Sequence, residues 1–403
     1  MHVLVAAFGT RGDVQPAAVV AQALRSRGHS CSVFVPPNLV DWVRGLGLEA
    51  TAVGLDYARV SRAASEGRFL DLLRVLPLLR VEVDAQVDAM AAAASRADLF
   101  LGCSVFAAGR LLAEHHRRPY RFLALSPFLI PSSEHPAPMV RSQRLPRWLN
   151  RLSWAFNELL WGAFLRGPIN RRRRALGLGA MGRVWDSLLA DVTLLAAEPS
   201  LFPLAAQLPT TRKVLQTGAL FLDDEATPLS PALETFLDAG APPLFVGFGS
   251  MSDPNPARTT RRLAEAARRC GRRLIIARGW AGLSLDQTPD DVFLSGPEPH
   301  AKVFPRCAAV IHHGGIGTAH AAARAGVPQL VLPHLLDQYY TAHRLELAGV
   351  GLGLRDRFGA DTETLAKAFT QVLEPGLATR ARALAERVRL DGGERAIAVL
   401  ERG

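Results

Sequence analysis

Short apolar runs alternate with amphipathic stretches along most of the chain. The apolar runs of the first half are rich in aliphatic and β-branched residues, typical of strands buried on both faces; they occupy positions 2–8, 30–35, 99–103 and 121–125. Helical periodicity covers 14–26, which ends at Gly28, and 107–115. Strand–helix–strand units give right-handed parallel connections. The first half is therefore predicted to be an open parallel α/β sheet.

The second half repeats this alternation. Strands are predicted at 243–248, 273–277, 292–294, 308–311 and 329–332, and helices at 261–270, 319–325, 364–373 and 377–390. A polar, acidic and Pro-containing segment, 217–231, is predicted to be the linker between two α/β domains, 1–216 and 232–403. Whether the last helix packs on the first domain is left open.

Bulk composition fits a globular protein with two cores: of 403 residues, 49% are apolar and 21% charged. No window reaches the ~18 uninterrupted apolar residues of a membrane span. The apolar start, Met1 to Ala7, runs into a Gly-rich turn, unlike a signal peptide. The four cysteines are far apart in sequence and indicate neither a metal site nor a disulfide. A cytoplasmic location is expected.

The formal charge of +10 is compatible with an anionic partner or with an Arg-rich genomic composition. Arginine is concentrated between Arg141 and Arg174, where nine arginines and three tryptophans accompany a single acidic residue, Glu158. This segment is predicted to be a helix pair on the first sheet with most arginines solvated, while some aromatics cover an apolar ligand or face a membrane. No nucleic-acid recognition module is visible, so the protein is not expected to bind nucleic acid.

The segment from His312 to Thr318 follows a predicted strand and precedes a predicted helix. Its glycines, Gly314, Gly315 and Gly317, allow backbone N–H groups to approach a ligand, and the helix N-terminus favours an anion. This arrangement predicts a phosphate site to which His313 adds a donor. His312 is interpreted as a partly buried strand residue.

Three further groups follow predicted strands. Asp13 lies in the turn that contains Thr10, Arg11 and Gly12; it is either a general base or a helix N-cap, and composition alone favours the cap. Ser250, after Gly249, offers a hydroxyl to a phosphate, although such turns are common. Asp337 and Gln338 suit sugar hydroxyls or cap a following helix.

Together these motifs resemble the family 1 nucleotide-sugar glycosyltransferases, in particular the bacterial natural-product and sterol glycosyltransferase-like subgroup. The matching segments are Gly9–Pro16, Gly247–Met251, Arg278–Trp280, His312–Thr318, Ala325–Gln329 and Asp337–Tyr340. The resemblance implies the GT-B fold, with two Rossmann-like parallel-sheet domains facing each other across a cleft.

The resemblance also implies roles for single residues. Asp13 falls on the catalytic base, which reverses the preference for a cap. The diphosphate contacts fall on Ser250, His313, Gly314, Gly315, Gly317 and Thr318, the nucleobase and ribose region on Trp280 and His300, and the donor-sugar contacts on Asp337 and Gln338. Two departures are Ala321, where plant members have a ribose-binding Glu, and the lack of an Asp between Leu99 and Phe106 to orient a catalytic His.

The implied activity is inverting, metal-independent transfer from a UDP- or dTDP-sugar, with no cofactor, to a hydroxyl of a small-molecule acceptor. Loops 55–79 and 126–161 are rich in Leu, Phe, Trp and Pro and suggest a bulky apolar acceptor. The alternatives are a membrane-associated transferase with a lipid or lipid-linked acceptor, a sugar-nucleotide epimerase, and a non-catalytic auxiliary subunit. Peripheral membrane contact and the choice between monomer and homodimer stay open.

Overall fold

The computed structural model describes residues 1–63, 77–104, 107–138, 140–206, 208, 213–222, 227–355 and 359–402. These residues form two compact units. One contains the described residues up to Leu222 and those from Arg389 onwards, and the other contains the residues between them. Parts of the predicted loop 55–79, of the predicted linker 217–231 and of the segment 99–106 lie outside the described residues.

The first unit is built on a seven-stranded parallel sheet with the order β3-β2-β1-β4-β5-β6-β7. Its strands are β1 (His2–Phe8), β2 (Ser30–Val35), β3 (Ala50–Ala52), β4 (Leu99–Ser104), β5 (Tyr120–Ala124), β6 (Val192–Leu195) and β7 (Lys213–Gln216). Its helices are α1 (Arg11–Ser26), α2 (Val40–Gly45), α3 (Tyr57–Ala63), α4 (Leu78–Ala94), α5 (Gly109–His115), α6 (Arg147–Ala175), α7 (Val184–Leu188) and α15 (Gly392–Glu401).

The strand order of this sheet reverses between β1 and β4. Strands β2 and β3 lie on one side of β1, whereas β4 and the later strands lie on the other. In the parallel register, Phe8 at the end of β1 pairs with Ser104 at the end of β4. Ligands of open α/β sheets bind beyond the carboxyl ends of the strands at such a reversal. The turn that carries Asp13 begins at this point.

The second unit contains a six-stranded parallel sheet with the order β10-β9-β8-β11-β12-β13. Its strands are β8 (Leu244–Gly247), β9 (Leu274–Ala277), β10 (Val292–Ser295), β11 (Ala309–His312), β12 (Gln329–Val331) and β13 (Gly351–Gly353). Its helices are α8 (Pro231–Asp238), α9 (Pro256–Arg269), α10 (His300–Val303), α11 (Ile316–Arg324), α12 (Gln338–Ala348), α13 (Thr362–Val372) and α14 (Pro375–Ala385). Here the order reverses between β8 and β11, where Gly247 pairs with His312.

The Arg- and Trp-rich segment forms one long helix, α6, and not the predicted helix pair. Trp154 is buried against Trp185, with ring centroids 6.0 Å apart, so this aromatic residue belongs to the core of the first unit. Near the other end, Arg171 and Arg172 donate to Asp84 of α4 at 2.6 Å. These two arginines therefore attach α6 to α4 through ion pairs, while most arginines of the segment are exposed, as predicted.

The predicted helix 377–390 ends at Ala385, and a further helix, α15, was not predicted. Helix α15 packs on α1, and Glu401 near its end accepts hydrogen bonds from Arg27 and from His29, both at 3.1 Å. The last helix thus belongs to the first unit. Among the described residues, no helix combines the length and the apolar character needed to cross a membrane.

Candidate active site

Asp13 lies in the first turn of α1, directly after the end of β1. Thr10 occupies the N-cap position, so the prediction of Asp13 as the N-cap is wrong in position. The Asp13 carboxylate nevertheless accepts a hydrogen bond from the Thr10 backbone N–H at 2.7 Å and from the Thr10 hydroxyl at 3.2 Å. Asp13 therefore satisfies an otherwise unpaired donor at the start of the helix, as the acidic member of a capping box does.

The surroundings of Asp13 raise the pKa of its carboxyl, because burial disfavours the charged form more than the hydrogen bonds from Thr10 and Ser104 favour it. Gly9 makes room for this carboxylate. Its φ of +139° lies in a region that side chains rarely adopt, and a Cβ at this position would collide with Asp13 Oδ2. A carboxylate with a raised pKa is a stronger proton acceptor than an ordinary Asp.

Ser104, at the end of β4, is a residue of this site that sequence reasoning missed. Its hydroxyl donates to the Asp13 carboxylate, and its φ of +59° is rare for a residue other than glycine. The preceding Cys103 donates from Sγ to the Asp13 backbone oxygen at 3.3 Å. Strained residues of this type concentrate at functional sites. A lone Ser at the end of a predicted strand gives no sequence signal of such a role.

His312, at the end of β11, organises the turn that follows it. Its ring is completely buried, Nε2 donates to Gln329 Oε1 at 3.0 Å, and Nδ1 accepts from the Gly314 N–H at 3.1 Å. The Gln329 amide in turn donates to the Ala319 backbone oxygen at 3.2 Å. His312 is a strand residue as predicted, although buried completely and not partly. The bond to His312 occupies the Gly314 N–H, so Gly314 does not offer this donor to a phosphate.

The second unit should lose stability in acid because of His312 and His320. Burial lowers the pKa of each to about 3, against 6.5 in an unfolded chain, so the unfolded state binds more protons between these values. Each histidine should cost about 2 kcal/mol of unfolding free energy between pH 8 and pH 5. Urea unfolding at both pH values measures this loss, and His320→Gln should remove about half of it. If the unfolding free energy of His320→Gln depended on pH as strongly as that of the wild type, the loss of stability in acid could not be assigned to His320.

His313 lies between two glycine-containing turns. A Cβ at Gly315 would approach His313 Nε2 to 2.5 Å, and a Cβ at Gly249 would approach His313 Cε1 to 3.0 Å. The imidazole is therefore held against the turn that carries Ser250, where the Met251 N–H donates to the Phe248 oxygen at 3.0 Å. The structure thus brings together His313 and the Ser250 turn, which are more than sixty residues apart in sequence.

A second loop closes on the same turn. The Trp280 N–H donates to the Gly249 oxygen at 2.9 Å. The side chain of Trp280 is half-buried. His300 begins α10 and stacks on Phe304, with ring centroids 4.3 Å apart. Both residues therefore belong to the second unit, each on a segment that follows a strand of its sheet.

Helix α11 follows β11 after a short turn and begins at Ile316, with Gly315 at the N-cap position. Among the described residues, no side chain forms a capping hydrogen bond at this end. The first N–H groups of the helix, from Ile316 to Thr318, are the donors that remain for an anion once Gly314 is engaged with His312. Gly317 is exposed and Thr318 is half-buried at this helix end.

Gln338 is buried, and most of its amide is engaged within the protein. Its Oε1 accepts from the backbone N–H groups of His334 at 2.7 Å and Leu335 at 3.0 Å, while Nε2 donates to Met251 Sδ at 3.2 Å. Gln338 therefore holds the loop before α12 in place. Asp337 is half-buried at the N-cap position, but its side chain does not cap the helix. Of these two residues, Asp337 is the one with a partly exposed side chain.

Gly314 allows α12 to approach the end of β11. Its φ is +102°, and a Cβ there would lie 2.9 Å from both Gln338 Cβ and Val331 Cγ1. The buried His334 extends this group: its ring centroid is 6.3 Å from that of His313. His334 was missed because it lies in a loop with no motif of its own. No cluster of three or more metal-ligating side chains occurs in the described part of the chain.

Comparison with known proteins identifies the family to which the chain belongs. Residues 3–122 match the glycosyltransferase family 28 N-terminal domain, and residues 261–392 match the C-terminal domain of erythromycin biosynthesis protein CIII-like proteins. Glycosyltransferase GtfE of Amycolatopsis orientalis is 37% identical over 407 residues, covering 99% of this chain and 97% of its own. The vancomycin aglycone glucosyltransferase of the same organism is 35% identical, covering 97% and 95%.

A structural comparison extends over the full length. The glycosyltransferase VinC, solved in complex with dTDP, superimposes with a TM-score of 0.69 at 20% identity and covers 100% of both chains. This similarity establishes the GT-B fold, and the sequence relatives establish the family. The chain therefore belongs to the GT-B glycosyltransferases related to those of antibiotic biosynthesis, and it is an enzyme of that class.

Proposed function

We propose that this enzyme transfers a sugar from a UDP- or dTDP-sugar to a hydroxyl of a bulky apolar acceptor, with inversion at the anomeric carbon and without a metal. The observation that carries the proposal is the convergence of His313, the Ser250 turn and the N-terminus of α11 at the strand-order reversal of the second sheet. Donors at such a reversal suit a diphosphate.

In the proposed reaction, the acceptor oxygen forms a bond to the anomeric carbon while the bond from that carbon to the diphosphate oxygen breaks. Asp13 takes the proton of the attacking hydroxyl. Its raised pKa supports this role, because the carboxylate gains more by accepting a proton than an ordinary Asp would. The hydroxyl of Ser104 holds the carboxylate in place.

The charge that develops on the leaving nucleoside diphosphate is stabilised by His313, Ser250 and the first N–H groups of α11. Such preorganised donors contribute most where charge grows in the transition state. These donors stabilise the negative charge of the diphosphate, which a metal ion does in other phosphate sites. Asp337, held by the Gln338 loop, is proposed to bind hydroxyls of the donor sugar.

Two observations on relatives support the choice of donor and acceptor. VinC was solved with dTDP, and the name of one relative specifies the vancomycin aglycone. Ala321 provides no carboxylate for the ribose hydroxyls, which is compatible with the deoxyribose of a dTDP-sugar as well as with UDP. A bulky aglycone-type acceptor agrees with the apolar character of segments 55–79 and 126–161.

A donor screen tests the proposal. UDP-glucose, dTDP-glucose, UDP and dTDP are each added at one concentration, and unfolding is followed by thermal shift. A ligand present at 100 times its Kd should add about 2.7 kcal/mol to the unfolding free energy. Stabilisation by none of the four would contradict the donor assignment. Conversion of the donor sugar without any acceptor would instead indicate an epimerase.

A further inference from the structure

An apolar stripe runs along the N-terminal part of α6 and faces solvent. It consists of Trp148, Leu152, Phe156 and Leu159, each between 53% and 66% exposed. At 3.6 residues per turn these four positions fall within a sector of about 80° and extend over about 16 Å of the helix. Four of the exposed large apolar side chains of the described residues therefore share one face of one helix. Such a patch marks an interaction site.

The charged residues that precede and accompany the start of the stripe in sequence are all arginines. No acidic residue occurs between positions 135 and 157. Arg144, Arg147 and Arg151 are exposed, and in the described part of the chain neither Arg147 nor Arg151 forms an ion pair. This differs from the other end of α6, where Arg171 and Arg172 are paired with Asp84 and Asp88. The charges of Arg147 and Arg151 therefore lie on the same helical turns as the start of the apolar stripe.

The helix end itself reinforces the positive field. Pro146 occupies the N-cap position, no side chain of the described residues caps the helix, and its first turn contains no acidic residue. A helix N-terminus carries about half a positive charge, so Arg147 and Arg151 lie where cations are least favourable. An anionic surface in contact with this end would relieve the conflict.

We propose that the N-terminal half of α6 binds the surface of an anionic phospholipid bilayer. Trp148, Leu152 and Phe156 would enter the headgroup region while Arg147 and Arg151 contact lipid phosphates, as in interfacial amphipathic helices. A small molecule would need a concave site, whereas this helix face is convex. A second copy of the chain would bring the arginines of two such faces together, which like-charge repulsion disfavours. The stripe belongs to segment 126–161, whose apolar character also supports the proposed acceptor, but vesicle binding is measured without donor or acceptor and can fail independently of the proposed function.

The test of the apolar stripe is co-sedimentation of the full chain with vesicles of phosphatidylcholine alone or mixed equally with phosphatidylglycerol. The chain should sediment with the mixed vesicles and much less with the neutral ones. Each of Leu152→Ser and Phe156→Ser should weaken binding about 10-fold or more. The matched controls Leu347→Ser and Leu390→Ser remove side chains that are equally exposed elsewhere, and they should leave binding unchanged.

The test of the charges uses a pair of double variants. Arg147→Gln with Arg151→Gln should lower binding to the mixed vesicles about 30-fold. Arg258→Gln with Arg261→Gln removes two exposed arginines from the first turns of α9 and should have no such effect. Equal losses in both double variants would overturn the proposal, since binding would then follow net charge alone.

Tryptophan emission provides a second readout. It should shift to shorter wavelength when mixed vesicles are added to the wild-type chain, and the shift should be smaller in Trp148→Phe, which preserves binding. Equal binding to neutral and anionic vesicles would contradict the inference. So would a stripe variant that changes the oligomeric state but not vesicle binding, since that result would place a second protein on this face.

Discussion

Replacement of Asp13 by Asn is expected to lower turnover by about 10²–10⁴-fold, because this is the typical contribution of a general base. Asn has nearly the same shape and can still accept the hydrogen bond from the Thr10 N–H. The affinity for the donor should change little, since Asp13 lies in the first unit and the donor groups lie in the second. Product formation under saturating donor measures the effect. Retention of more than a tenth of the turnover would exclude Asp13 as the base.

The same substitution is expected to preserve or increase stability. The folded-state pKa of Asp13 is raised above its unfolded value, so the native state binds the proton more tightly. Stability therefore declines as pH rises through this interval, and the ionised Asp13 is unfavourable at neutral pH. Asn removes that charge. A higher free energy of unfolding together with lost turnover would separate a catalytic role from a structural one.

Ser104→Gly is the companion variant for the positioning role of Ser104. Glycine tolerates the φ of +59°, so the substitution removes the hydroxyl without adding backbone strain. Loss of its hydrogen bond should raise the pKa of Asp13 further, because that bond favours the charged form. The acid limb of the kcat/KM profile should therefore move to higher pH. A profile that stays in place would show that Ser104 does not act on Asp13.

The strand–turn–helix junctions at Asp13 and at His313 could be predicted because their signals are local. An apolar run, a glycine-containing turn and a helical period lie next to each other in sequence. The side chains that support these turns could not be predicted. Ser104 is brought to Asp13 only by the register of β1 with β4, and Gln338 reaches Met251, 87 residues earlier in the chain, only in the folded second unit.

Two of the elements missed in sequence contain glycines that serve a tertiary contact. Strand β13 contains two glycines, which usually argue against a strand; a Cβ at Gly351 would lie 2.5 Å from the Gln329 oxygen, so the close approach of the strands requires glycine. Helix α15 begins with Gly392, whose place beside the Ala219 backbone leaves no room for a side chain. Secondary-structure propensity therefore mispredicts both elements, because tertiary packing requires glycine at these two positions.

His313→Ala is expected to weaken the binding of the nucleoside diphosphate by about 10- to 150-fold, the range that corresponds to the loss of a hydrogen bond to a charged group. The imidazole is held between Gly249 and Gly315, so its removal deletes a donor without disturbing the buried pair formed by His312 and Gln329. Calorimetric titration with UDP or dTDP, whichever stabilises the wild-type chain more, measures the change.

Gly315→Ala tests the same contact from the opposite side. The added Cβ would lie 2.5 Å from His313 Nε2 and must displace the imidazole, so it should weaken diphosphate binding to a similar extent while His313 remains in the chain. Gly393→Ala is the matched control, because a Cβ there meets no atom within 4 Å. If His313→Ala and Gly315→Ala both bind the diphosphate as tightly as the wild type, the diphosphate must bind elsewhere.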